Sequence, residues 1–153
     1  MSEHRATVEW QLTGEFTYET YSRTHTVDFG RGVRLAGNAA AANIPPTAPG
    51  TPGADPEQQL VASISSCHML WFLHLACDRK YVVAGYRDEA SGMLTKNAEG
   101  KEAVTHVTLR PLVRFAGTAP PPEEHLKLHE KAHERCYIAN SVKTEIILEP
   151  RIS

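Results

Sequence analysis

Asp55-Pro56-Glu57-Gln58-Gln59-Leu60-Val61-Ala62-Ser63-Ile64-Ser65-Ser66-Cys67-His68-Met69-Leu70-Trp71-Phe72-Leu73-His74-Leu75 is the stretch on which the fold turns. Asp55 can cap a helix, and Pro56 suits the first helical position, where an N–H would find no partner. Gln58 stands three residues past the cap, where its side chain can return the capping bond. Leu60, Ile64, Cys67, Trp71 and Leu75 then recur at helical spacing, and Val61, His68 and Phe72 widen the stripe. The spacing predicts a helix over 56–78, about 35 Å long at roughly 1.5 Å per residue. Its apolar face is wide enough for the centre of a core.

The chain on either side of this helix is rich in strand formers. Residues 6–13 and 16–29 carry Thr, Tyr, Val and Phe around Thr13-Gly14-Glu15, which predicts a β-hairpin, and a third short strand is expected near Val33–Leu35. Residues 38–54 (NAAAANIPPTAPGTPGA) lose all periodicity and are expected to form a flexible Pro/Ala-rich loop within a single domain spanning 1–153. Beyond the helix, residues 81–95 and 102–116 are expected to be two strands around a turn at 97–100, with Pro111 marking an edge or a bulge. Ala119-Pro120-Pro121-Pro122 ends the sheet, and Glu123-Glu124 opens a second helix carrying His125, His129, His133 and Cys136. Residues 142–149 look like a closing strand. The resulting order, β-β-(β)-α-β-β-α-β, predicts an α+β protein with mostly antiparallel sheet.

At 153 residues the chain suits one domain, and its 41% hydrophobic and 22% charged fractions are ordinary for a globular protein. A net charge of −2 makes no field for a polyanion, so neither nucleic acid nor an anionic membrane surface is an expected partner. No run of residues is expected to cross a membrane. The opening MSEHRATVEW has no apolar signal-peptide core, which points to a cytoplasmic protein. Three cysteines, Cys67, Cys77 and Cys136, are an odd number for a disulfide framework.

If these thiols matter, they matter as chemistry. Cys77 lies ten positions beyond Cys67, about 15 Å along the helix, too far for a disulfide. The pair that could be redox-active is Cys67 with Cys136, one from each helix; the bland reading of both is a small buried hydrophobe. A reactive thiol needs its thiolate, and the helix dipole fades within one turn, so a cation must come from elsewhere. Arg23 is the candidate: on a strand over 16–29 it shares a face with Tyr21, His25, Val27 and Phe29. On a core-side face it would need an anionic partner.

His129-Glu130-Lys131-Ala132-His133 matches H-E-x-x-H, the spacing with which one helix presents two zinc ligands and a base. Lys127, Lys131, Glu134 and Arg135 surround it and no third ligand stands out, so the expectation is a histidine-rich amphipathic helix and no metal site. There is no glycine-rich phosphate loop, G-x-S-x-G or C-x-x-C, and no cofactor is expected.

The run Asp55-Pro56-Glu57 to Ser66-Cys67-His68-Met69, with His133-Glu134-Arg135-Cys136 and Ile138-Ala139-Asn140-Ser141, resembles the OsmC/Ohr family of osmotically inducible and organic-hydroperoxide-resistance proteins, on its OsmC-like branch. The resemblance covers nearly the whole chain. It implies an OsmC-like fold, with antiparallel sheets wrapped around two core helices, and an intertwined homodimer with active sites at the subunit interface. It further implies a thiol peroxidase, expected to be reset by an external dithiol without metal, flavin or haem; the apolar neighbours of Cys67, Leu60, Ile64 and Trp71, favour organic peroxides over hydrogen peroxide. Cys67 matches the peroxidatic cysteine, Cys136 the resolving one, Glu57 the acidic residue of the Pro-Glu pair, and Arg23 the family's N-terminal strand arginine. Glu57 and Cys67, ten helical positions apart, differ by about 15 Å in height and roughly 80° in rotation. Either the helix breaks between them or the glutamate acts from the partner chain, and the partner chain is the expectation. The competing reading is a non-catalytic dimeric scaffold or small-ligand binder with idle thiols.

Overall fold

The computed structural model describes residues 1–153, which divide into two compact units, Met1–Gln59 and Leu60–Ser153. In the first unit, strands β1 (Thr7–Glu9), β2 (His25–Asp28) and β3 (Arg34–Gly37) form an antiparallel meander in which Val8 faces Val27 and Val27 faces Leu35. The hairpin is where the sequence places it, but its strands are short and its tip is not a tight turn at Thr13–Glu15. Residues 10–24 leave the ladder because their aromatics pack on one another. Trp10, Phe16 and Tyr21 have ring centroids 5.3–6.2 Å apart, and the Trp10 indole N–H donates to Ser22 O at 2.6 Å. Segment 38–54 contains no strand, as its composition predicts, and is fastened at several points. The Asn38 amide donates to Thr51 O, the Thr47 hydroxyl to Glu19 O, and the Ala54 N–H to Ala36 O.

Helix α1 spans Pro56–Asp78, the predicted bounds. Its start is a reciprocal capping box: the Gln58 N–H donates to Asp55 Oδ1 at 2.7 Å and the Asp55 N–H to Gln58 Oε1 at 3.1 Å. The two strands expected at 81–95 and 102–116 are each broken in two. They become β4 (Val83–Asp88), β5 (Ser91–Lys96), β6 (Glu102–Leu109) and β7 (Pro111–Phe115). Pro111 has no N–H to give a ladder, and the Arg110 N–H just before it turns instead to Asp88 Oδ1 at 2.6 Å. Both strands therefore change sheet at this point. Helix α2 (Pro122–Arg135) follows, and the closing segment is two strands, β8 (Glu145–Leu148) and β9 (Arg151–Ile152).

Sheets β4-β7-β9 and β5-β6-β8 are mixed, where a mostly antiparallel arrangement was expected. β8 pairs with β6, and β9 with β7, in parallel, because α2 returns the chain to the end from which those strands started. The α+β class stands.

Ile64, His68, Phe72, Leu75 and Ala76 are the buried residues of α1. The core line runs one position over from the 67–71 stripe read in the sequence, leaving Cys67 and Trp71 half-buried on its flank. By length and mean hydropathy (1.5) α1 could cross a membrane, contrary to the expectation that no run would. Its buried line is nonetheless a core line: Phe72, Leu75 and Ala76 cluster with Val113 and with Leu128 and Ala132 of α2, and Ile64 with Val107 and Leu109.

Histidines complete that core. His68 Nε2 lies 2.9 Å from His129 Nδ1, His129 Nε2 lies 3.3 Å from His125 Nε2, and Phe72 stacks on the His129 ring at 4.1 Å. The histidine-rich amphipathic helix that the sequence suggested thus turns His125 and His129 inward. Burial holds all three imidazoles uncharged. It pushes His68 down to about 4, helped by the nearby charge of His133; His129 falls further under burial and its two histidine neighbours, and burial lowers His125 too.

Two outcomes follow from this packing. Asp55→Ala, which removes the cap, should lower stability in urea unfolding by about 1 kcal/mol. An imidazole kept neutral in the fold but free to protonate near 6.5 when unfolded leaves stability intact above about pH 6.5 and drains it as the pH falls toward 4. His68 alone accounts for about 3 kcal/mol of this. The melting temperature should drop by roughly 5–10 °C between pH 7.5 and pH 4.5; a flat profile would show that the histidines are not buried together.

Candidate functional site

The two sulfurs expected to act together do meet. Cys136 is the residue on which α2 stops, with φ −66° and ψ 110°, and its N–H still bonds His133 O. A short helical turn, Ala139–Ser141, follows, and from its start the Ala139 N–H donates to Cys136 Sγ at 3.3 Å. Cys136 is 1% exposed, and its thiol is raised to about 11, first by burial and then by a hydrogen bond and charge interaction with Cys67. The amides of Ala139 and Ile138 pull the other way without reversing the shift. Cys136 therefore keeps its proton at neutral pH, beside the half-buried Cys67 sulfur. Cys77 is exposed near the far end of α1 and takes no part.

The contacts of this pair continue along both helices as a series of rungs. Cys67 meets Cys136, His68 meets His129, and Phe72 meets His129 and His125. Rising numbers on α1 face falling numbers on α2, so the helices run antiparallel and each rung fixes the register of the next.

In the first unit, Arg23 and Glu57 line one cavity of about 560 Å³ together with Val8, Trp10, Phe16, Tyr21 and His25. Arg23 lies just before β2 and is 9% exposed. Its Nη1 and Nη2 donate to the carbonyls of Tyr21 and Tyr18, both at 2.8 Å, and its guanidinium sits 3.8 Å from the Tyr21 ring centroid. The anionic partner expected of a buried arginine is replaced by carbonyls and aromatic faces, and no carboxylate pairs with it. Glu57, in the first turn of α1, has its Oε2 buried without a hydrogen bond. Helix α1 is unbroken from Pro56 to Asp78, so a break between Glu57 and Cys67 is excluded.

The face that the sequence reading shares among Tyr21, Arg23 and His25 does line this cavity, whereas no pattern marks Trp10 and Phe16, which lie outside the ladder. His25 fits beside Arg23, its Nδ1–H donating to Arg23 O at 2.9 Å, because Gly37 across the ladder has no side chain to meet its ring. The H-E-x-x-H match forms no ligand pair: both ring nitrogens of His129 are taken by other imidazoles, and no three His, Cys, Asp or Glu side chains are placed to hold a metal.

A family model described as OsmC-like protein matches residues 48–151. Among solved structures, an OsmC-like protein of unknown function from Vibrio cholerae is 44% identical, with a TM-score of 0.89 over 98% of this chain and 99% of its own. The organic hydroperoxide resistance protein OhrB of Bacillus subtilis shares the fold at 17% identity, with a TM-score of 0.63 over 99% and 98%. An organic hydroperoxide resistance protein from Legionella pneumophila does so at 17% and 0.65 over 100% and 98%. No curated protein matches the sequence. Two converging thiols from the Pro-Glu helix and the second helix, the α+β architecture around them and these matches together make the chain a member of the OsmC-like family.

Proposed function

We propose that the protein is a thiol-dependent peroxidase acting on organic hydroperoxides. The observation that carries this reading is the unequal pair of sulfurs. Cys136 is buried and holds its proton, whereas Cys67 beside it is half-buried and open to a substrate. A peroxide can reach the half-buried sulfur before the buried one, so Cys67 is the nucleophile and Cys136 the resolving thiol.

In the first step the Cys67 thiolate attacks the outer oxygen of the hydroperoxide. The O–O bond breaks, the alkoxide takes a proton and leaves as the alcohol, and Cys67 becomes a sulfenic acid. Cys136 then attacks the Cys67 sulfur; the S–S bond forms, the S–O bond breaks and water leaves. An external dithiol reduces the disulfide and resets the enzyme. Arg23, held by the carbonyls of Tyr21 and Tyr18, polarises the peroxide, and Glu57 adds a second polar group to a cavity whose Val8, Trp10, Phe16 and Tyr21 favour an organic over an inorganic substrate.

The working form is a homodimer in which Arg23 and Glu57 of one subunit serve the thiols of the other. Two features support it. The unbroken α1 keeps Glu57 about 15 Å along the axis from Cys67, beyond a glutamate's reach. The face of α1 away from its core line also leaves Leu70 63% exposed beside half-buried Met69, Trp71 and Leu73, an apolar strip that a second copy would cover. The shared fold with organic hydroperoxide resistance proteins agrees with this reading.

In stopped-flow consumption of cumene hydroperoxide, Cys67→Ser should lose activity by a factor on the order of 10³ or more, and equal rates in the two proteins would end the proposal. Cys136→Ser should react once and stall as a sulfenic acid that dimedone captures. Shared sites make a separate outcome measurable. Arg23→Ala and Cys67→Ser should each be inactive alone, yet regain part of the wild-type rate when mixed and allowed to exchange subunits. No recovery in verified heterodimers would place Arg23 and Cys67 outside a shared site.

A further inference from the structure

The chemistry proposed above makes no use of the largest titratable cluster in the molecule. His125, His129 and His133 fall four residues apart on one stripe of α2, and Cys136 continues that stripe. His68, next to Cys67 on α1, joins them. The hydrogen bonds run His68 Nε2 to His129 Nδ1 and His129 Nε2 to His125 Nε2, so three rings are linked through opposite nitrogens. His68 Nδ1, on the residue after Cys67, is buried with no partner, and so is Nδ1 of His133, one turn from His129 toward Cys136.

A neutral imidazole has one N–H and one lone pair, so the linked rings have two states that differ only in tautomer. In one, every N–H points from His68 toward His125; in the other, every N–H points back and His68 Nδ1 carries a proton. Passing between the two moves a proton from one end to the other and creates no imidazolium in between. That suits a place where burial keeps each ring uncharged. The other titratable groups around the chain are Cys67 on α1, His133 and Cys136 on α2, and Tyr86 of β4, whose ring leans on Phe72 and whose buried hydroxyl has no partner.

Disulfide closure has a proton to move. Cys136, protonated at neutral pH, is a poor nucleophile until a base takes its hydrogen, and the departing oxygen needs a hydrogen to leave as water. We propose that His68, His129 and His125 are the proton relay of disulfide closure: as His68 Nδ1 takes the Cys136 proton, His125, 4% exposed, gives its Nδ1 proton to water, and the reverse shift takes one back from water and delivers the His68 Nδ1 proton to the leaving group. Atoms balance: the S–H and S–O bonds break, the S–S bond forms, and one water departs. The inference rests on the thiol pair of the proposed function, but not on the oxidant being a peroxide. Glutathione disulfide can also load Cys67 as a mixed disulfide, releasing one glutathione; Cys136 then displaces the second, which leaves with the relayed proton. His129 acts through His68 and is a positioning residue.

The test is single-turnover closure in wild type and His129→Asn, loaded in one arm with cumene hydroperoxide and in the other with glutathione disulfide. An asparagine amide can keep a hydrogen bond to His68 but cannot pass a proton. Closure should slow about 10²-fold in both arms, while the first step, read by dimedone capture or by release of the first glutathione, keeps its wild-type rate. Wild-type closure should also slow in deuterium oxide, and that slowing should shrink in His129→Asn, a change that a merely structural role for His129 would not produce. Wild-type closure rates in folded His129→Asn, or no deuterium effect on wild-type closure, overturn the relay; the second measurement decides even where the variant fails to fold. Failure of cumene hydroperoxide to load Cys67 would overturn the peroxidase reading alone, since the glutathione arm still reads the relay.

Discussion

The hydrogen bond between two uncharged imidazoles, His68 on α1 and His129 on α2, sets how the helices of the larger unit meet. Apolar contacts such as Phe72 with Leu128 and Ala132 would hold two helices together at several registers, because burial has no direction. A bond between two particular nitrogens at 2.9 Å tolerates only one. Once it is made, Cys67 and Cys136 lie on the neighbouring rung with no freedom to miss each other. Polar groups in a core are costly when unpaired, and that cost is what makes them selective.

Asp88 is the second fixed point. One carboxylate oxygen accepts from the Arg110 N–H, where two strands change sheet, and the other from the Ser65 hydroxyl, two residues before Cys67. The place where the chain bends between sheets is thereby tied to the part of α1 that carries the thiol. Cys136 is fixed by a different device. Its helix ends on it, and the following turn aims the Ala139 N–H at its sulfur. One sulfur therefore projects from a continuous helix and the other from a helix end, which lets the second sit deeper than the first.

The sequence made α1 legible to the residue, because capping and periodicity are local and strong: Asp55, Pro56 and Gln58 act on each other within one turn. Cys67 and Cys136 were legible as a pair for the same reason, each lying on a helix face. The sheets were less so. A run such as 102–116 satisfies strand preference throughout, and only the loss of one ladder hydrogen bond at Pro111, answered by a carboxylate more than twenty residues earlier, divides it. The parallel pairing of β8 and β9 depends on where α2 delivers the chain, which no local pattern encodes. The histidine core was legible only in part for a related reason. Spacing of four residues puts His125, His129 and His133 on one face, but only the partner His68 decides that the face is buried. Charged neighbours at Lys127 and Lys131 argued for solvent and belong to the opposite side of the same helix.

Arg23 carries the same lesson in electrostatic form. A guanidinium buried to this degree ordinarily spends its charge on a carboxylate. Here two main-chain carbonyls and two tyrosine rings satisfy its hydrogen bonds and its open face while leaving its net charge uncancelled. Glu57 lines the same cavity with one oxygen buried and unbonded. Neither arrangement is the most stable one these side chains could reach: an ion pair between them would relieve both. A cavity that keeps a cation and a carboxylate apart, walled by aromatic and aliphatic side chains, holds its polarity in reserve for a small guest with one polar end and an apolar body. On the peroxidase reading proposed above, that guest is an organic hydroperoxide with its reacting oxygen at the guanidinium.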